Sequence, residues 1–139
     1  MCGISGIYNL NGNPSSILDE RLSLMNHIQK HRGPDGEGIW SHPDHFLGLS
    51  HVRLSIIGLK SGHQPMLSKS KNIITFNGEI YNYKELRNEI GETNFETNSD
   101  TEVILKAYER WGVDCISKFR GMFAFAVWDE KKKELFCAR

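Results

Sequence analysis

The feature that most restricts the fold is Met122–Trp128, an unbroken apolar run reading MFAFAVW. A strand with one wet face alternates apolar and polar residues, whereas a strand apolar at nearly every position is covered on both faces. The run therefore predicts sheets sandwiched between helices. It is also the longest apolar run in the chain, and it falls far short of the roughly 18 residues that a membrane-spanning helix needs. Asp129-Glu130-Lys131-Lys132-Lys133 follows as a polar connection into Glu134–Cys137, which predicts a hairpin. At 139 residues there is room for one domain and no more. A hydrophobic content of 39% is modest, yet seven Phe, four Tyr and three Trp are bulky enough for a core.

Ile4–Leu10 is short and β-compatible, and Asn11-Gly12-Asn13-Pro14 ends it with turn chemistry. Ser16 with Asp19 three residues on opens a helix, in which Leu18, Leu22, Met25 and Ile28 recur at helical steps until Arg32-Gly33-Pro34. Phe46–Ile57 and Asn72–Phe76 read as strands separated by a polar loop, Lys60–Lys71. Asn82 with Glu85 opens a short helix closed by Gly91. Ser99 with Glu102 opens another, turning Val103, Ile104, Ala107, Tyr108 and Trp111 inward before Gly112. No repeat or linker-like block interrupts the chain, which reads as one unit.

With 17 Lys+Arg against 17 Asp+Glu the formal net charge is zero, so neither nucleic acid nor an anionic membrane is expected as a partner. Cys2, Cys115 and Cys137 are odd in number and widely spaced, which gives neither a disulfide framework nor a zinc pattern. Together with a start that lacks the basic and apolar regions of an export signal, this leads us to expect a reducing cytoplasm. His42 and His45 flank Pro43-Asp44 too irregularly for a metal site, and no metal is expected.

Cys2 is informative because of its address. Removal of Met1 would put a thiol and a free α-amine on one residue. Such an amine titrates near neutrality and can take the thiol proton, giving a nucleophile with a built-in base. The bland reading is a small buried hydrophobe. Asn77-Gly78-Glu79 follows the apolar strand; Asn-Gly favours a tight turn, but an Asn amide beside a Gly N–H also supplies the two donors that a tetrahedral oxyanion needs. His51, Arg53 and Ser55 share one face of a β-like segment, where Arg53 is either rim-exposed or a fork for a carboxylate. Asp100 is a helix-start carboxylate that could equally hold a ligand ammonium. Arg32–Gly38 lacks the ending of a phosphate loop and reads as a loop whose glycines permit unusual backbone angles.

Taken in order, Met1–Gly6, His31–Gly38, His51–Ile57, Gly62–Met66, Phe76–Arg87, Asn98–Ile104 and Arg120–Asp129 resemble the glutaminase domain of class II glutamine amidotransferases, in its asparagine-synthetase branch. The resemblance covers the chain from end to end. It implies an α+β fold, the four-layer αββα sandwich of the amino-terminal-nucleophile hydrolases, here partial. It implies that Cys2 attacks the side-chain amide of L-glutamine, releasing ammonia and leaving a thioester that water hydrolyses. By motif position Arg53 takes the substrate carboxylate, Asp100 its ammonium, and Asn77 and Gly78 the oxyanion, while Leu54, Ser55, Ile56, Ile57 and Glu79 line the pocket.

The family domain continues past Cys137-Ala138-Arg139, and in the synthetases an ATP-binding domain follows. The expectation is thus a glutaminase domain over residues 1–139, truncated at its C-terminal end, without the synthetase domain and with no cofactor of its own. ATP, magnesium and an aspartate-like acceptor belong to that missing part, and an oligomer is possible. The rival expectations are a catalytically silent glutamine-binding or structural fragment, and the amidotransferase portion of a surface-polysaccharide pathway enzyme. A Cys–His protease is disfavoured, because none of the six His has a recommending spacing.

Overall fold

A computed structural model describes residues 2–54, 62–91 and 95–139. One antiparallel sheet has the order β1-β3-β2, formed by β1 (Gly3–Tyr8), β2 (Gly36–Ser41) and β3 (Leu47–Arg53). The other has the order β4-β5-β6-β7, formed by β4 (Met66–Leu67), β5 (Ile73–Ile80), β6 (Gly121–Asp129) and β7 (Glu134–Ala138). Helix α1 (Leu18–Gln29) packs on the first sheet; α3 (Asp100–Trp111) packs on β5, with α2 (Tyr83–Ile90) beside it. β1 and β3 meet β5 across the middle, so the layers run helix, sheet, sheet, helix. Among the described residues no helix is long and apolar enough to cross a membrane.

The apolar run in β6 has the two-sided burial it requires. Phe125 and Val127 join Ile74, Phe76 and Ile80 beneath Leu86, Val103, Ile104 and Ala107 of the helices. Trp128 and Ala126 face the other way, against Leu47, Leu49 and Ile73. Met122 departs from the expectation at 71% exposure, because the inter-sheet layer opens into a cavity at that end.

Other expectations need correction. Ser16 does not cap α1: the N-cap is Ile17, with no side-chain cap bond. The buried stripe of α1 is Leu18, Leu22 and Asn26, while Ile28 is 63% exposed and Met25 half-buried. Asn26 takes the inward place because its Nδ2 donates to the Gly38 carbonyl at 3.2 Å, which offsets the cost of burying an amide. Asn82 precedes α2, but its side chain bonds the Lys118 carbonyl and the Arg120 N–H, both at 2.9 Å, tying the helix to the entry of β6. Ser99 does cap α3, its Oγ accepting from the Glu102 N–H at 3.3 Å.

Gly36–Gly38, expected in a glycine loop, instead begin strand β2, and β4 lies inside the expected polar loop. Gly38 serves close approach, since a Cβ there would lie 2.0 Å from the Gln64 carbonyl oxygen.

Candidate active site

The start of the chain and the end of β3 reach the same place because β1 and β3 are antiparallel, with Gly3 opposite Val52. Cys2 therefore sits beside Arg53 and Leu54. Its half-buried Sγ accepts from the Leu54 N–H at 3.3 Å and lies 3.6 Å from the Leu54 carbonyl, so one residue's backbone fixes the sulfur. The Cys2 carbonyl accepts from Arg32 Nε at 3.1 Å, which anchors the residue from its other side.

These residues border a cavity of about 170 Å³ between the sheets, whose lining also includes Asn77, Gly78, Glu79 and Asp100. Seven of the residues singled out from sequence thus converge: Cys2, Arg53, Leu54, Asn77, Gly78, Glu79 and Asp100. Ser55, Ile56 and Ile57 lie outside the described residues.

Asn77-Gly78 is not a turn. Both residues lie within β5, opposite Ala124 and Phe123 of β6. The β5 edge facing away from β6 explains what the pair offers. Phe76 N–H donates to Gln64 Oε1 at 2.6 Å, and Ile80 N–H donates to Asp100 Oδ2 at 3.1 Å. Strand N–H groups alternate in direction, which turns the Gly78 N–H to that same side, between two occupied neighbours and toward the cavity. Only glycine fits here: φ is +143°, and a Cβ would lie 2.1 Å from the Met122 carbonyl oxygen. An amide N–H and the Asn77 side chain together can stabilise an anionic oxygen.

Asp100, the first residue of α3, is only 7% exposed. Burial pushes its carboxyl up; hydrogen bonds from the Ile80 and Thr101 N–H groups pull the other way, and the Glu79 charge adds to the upward push. Among the described residues it has no ion pair. A buried carboxylate in that state gains from a ligand cation. Arg53 borders the same cavity, so a ligand with one positive and one negative end can meet both partners.

His51, Gln64, Thr101 and Met122 also line the cavity, and sequence reasoning assigned none of them a role. His51 is 1% exposed; burial pushes it down to about 4, against a hydrogen bond with Phe76 that raises it, and the Arg53 charge lowers it further. It is therefore neutral near pH 7, and its Nε2 has no partner among the described residues. The two-residue period from Arg53 was the available signal for His51. Gln64 and Thr101 lie within the resembling stretches Gly62–Met66 and Asn98–Ile104, but no local pattern marked them individually, because their roles depend on contacts across the fold.

The family model for the glutamine amidotransferase domain matches residues 1–139. The chain is 44% identical to a putative glutamine-hydrolysing asparagine synthetase 2 of Methanocaldococcus jannaschii, aligning over 100% of this chain and 30% of that protein. It is 43% identical to the glutamine-hydrolysing asparagine synthetase 1 of Bacillus subtilis, over 100% of this chain and 22% of the relative. The chain thus spans less than a third of the length of these relatives. Among solved structures, the glutamine phosphoribosylpyrophosphate amidotransferase of B. subtilis, complexed with ADP and GMP, superposes with a TM-score of 0.69 at 21% identity, covering 94% of this chain and 35% of that one. That likeness extends the agreement to the fold, and with the whole length matched by the family model, the chain belongs to the glutamine amidotransferase domain family.

Proposed function

We propose that the domain hydrolyses the side-chain amide of L-glutamine, with Cys2 as nucleophile after loss of Met1, and supplies the ammonia to an asparagine-synthetase-like amidation. The observation that carries this is the Cys2 thiol, held by Leu54 at a cavity that also presents Arg53, Asp100 and the Asn77-Gly78 donors. Arg53 forks the substrate α-carboxylate and Asp100 holds its α-ammonium, leaving the side-chain amide to reach toward Cys2.

The freed α-amine takes the thiol proton, and Sγ adds to the amide carbon. The C–O π pair moves onto oxygen, where Asn77 Nδ2 and the Gly78 N–H receive it. The α-ammonium returns its proton to the nitrogen, the C–N bond breaks, and ammonia leaves a glutamyl thioester. Water, deprotonated by the same amine, adds to the thioester carbon. Collapse expels the thiolate, which is reprotonated, and glutamate departs. A reducing cytoplasm suits a free thiol nucleophile. The amidation that consumes the ammonia would fall to a synthetase part using ATP, magnesium and an aspartate-like acceptor; the relatives' names state only glutamine-hydrolysing asparagine synthesis.

Glutamate release by the whole protein tests the reading, with intact mass reporting whether Met1 is removed. Cys2→Ala should abolish release while glutamine still binds. Turnover by Cys2→Ala would remove the nucleophile, and binding without turnover in the wild type would leave a silent glutamine-binding domain.

A further inference from the structure

β4 ends abruptly. Met66 and Leu67 pair with Ile74 and Ile73, and the same register carried outward would set the Gln64 backbone opposite Phe76. The chain instead leans toward the other sheet, close enough that a Cβ at Gly38 would meet the Gln64 carbonyl oxygen at 2.0 Å. The Gln64 side chain takes over the missing backbone's task, its Oε1 accepting the Phe76 N–H at 2.6 Å. Its Nε2 donates to Thr101 Oγ1 at 3.3 Å, and Thr101 is buried.

Both ends of one amide are thus committed, one to the residue before Asn77 and the other to the residue after Asp100. We propose that Gln64 is a positioning residue that sets the spacing between the Asn77-Gly78 oxyanion donors on β5 and the ammonium-holding carboxylate at the start of α3. The inference rests on the glutamine-hydrolysis reading and adds to it a second tie, beside the Ile80 N–H bond to Asp100 Oδ2, that holds the two halves of the substrate site in register.

A substrate gripped at its ammonium by Asp100 presents its amide at a fixed distance along its own carbon chain. The oxyanion donors serve only if β5 stands at that distance. Without Gln64 the Phe76 N–H loses its partner, the strand edge relaxes, and the donors shift relative to a ligand that still binds. Misplacement of this kind lowers the rate of the chemical step more than it weakens binding.

The test is made in the whole protein. Gln64→Met keeps length and volume without hydrogen bonds and should lower kcat per folded molecule about 10- to 100-fold with a much smaller change in KM. A γ-aldehyde analogue of glutamine, which forms a tetrahedral adduct on a thiol, should lose affinity in parallel with kcat, while glutamine binding measured in a Cys2→Ala background moves far less. Should Gln64→Met not fold, Thr101→Val cuts one tie and should lower kcat in the same selective way, with Thr101→Ser restoring most of the lost rate. Wild-type kcat and aldehyde affinity in folded Gln64→Met, or in Thr101→Val if that is the variant that folds, would overturn the inference and leave the glutamine reading intact. A wild-type protein that releases no glutamate would overturn both.

Discussion

The layer between the two sheets has a closed end and an open end, and the same strands build both. From one to the other the facing residues run Leu47, Leu49, His51, Arg53 on β3; Ile73, Thr75, Asn77, Glu79 on β5; and, in register with the last, Trp128, Ala126, Ala124, Met122 on β6. At the closed end Leu47, Leu49, Ile73 and Trp128 are at most 1% exposed, and the Tyr8 and Phe46 rings meet Trp128 edge-on with centroids 5.8 and 5.7 Å away. At the open end His51, Arg53, Asn77, Glu79 and Met122 are polar or exposed and line the cavity, with the small Ala124 opposite Asn77. The comparison teaches a division of labour along strands. Polar groups held ready for a ligand cost stability, and aromatic packing a few residues away offsets that cost.

The strongest way to break this division is Trp128→Ala, which should cost about 3–5 kcal/mol of stability by emptying the closed end. Denaturant unfolding measures that loss, and kcat per folded molecule should stay at the wild-type value. A parallel collapse of kcat would mean that the two ends are not separable. The converse change is Asn77→Ala, expected to lower kcat by roughly 10²–10³, about 2.7–4 kcal/mol, with little effect on KM or on the unfolding midpoint. Asn77→Asp should be nearly as damaging, because it replaces a donor with a charge that repels the oxyanion. Normal kcat in Asn77→Asp would sink the oxyanion role.

His51 lies where the two ends meet and sharpens the comparison through pH. Its folded-state value of about 4 is below the ordinary 6.5. The unfolded chain therefore binds the proton first, and the stability tied to neutral His51 is present above pH 6.5 and lost as pH falls toward 4. The loss is on the order of 3 kcal/mol. His51→Gln should flatten that part of the stability profile, and an unchanged acid limb would refute the assignment.

The smallest effect has the opposite sign. Asp100 is raised by burial, so its stabilising contribution is complete below the unfolded value of 3.8 and is lost as pH rises through the folded one. Asp100→Asn should raise the melting temperature near pH 7 and lose that gain on acidification, while weakening glutamine binding. A variant that lowers the melting temperature at neutral pH would show Asp100 to be part of the scaffold instead.

How much of this was legible in sequence follows from the range over which each contact acts. β6 was readable because burial on two faces leaves an unbroken run, and α3 because Ser99 caps it locally. α1 misled at Ile28, since an asparagine bonded across the fold displaced the apolar period. The Asn77-Gly78 pair was ambiguous because the same two residues suit a hairpin turn, and only pairing with β6 decides between them. β2 was hidden by glycines that local statistics assign to loops, one of which, Gly38, the structure uses to let Gln64 approach. Gln64 shows where local reading stops, as both of its partners are supplied by the folded chain.

The Met122 carbonyl pressed against Gly78 has a consequence for how the domain tolerates sequence drift. In a library scored separately for cellular abundance and for turnover, every replacement at Gly78 should vanish from both scores, because a side chain there collides with β6 before chemistry is reached. Its neighbour Asn77, half-buried and with room around it, can vary widely in abundance-selected survivors and still be fixed among active ones. Two adjacent codons would thus report different selections, one on having a fold and one on using it.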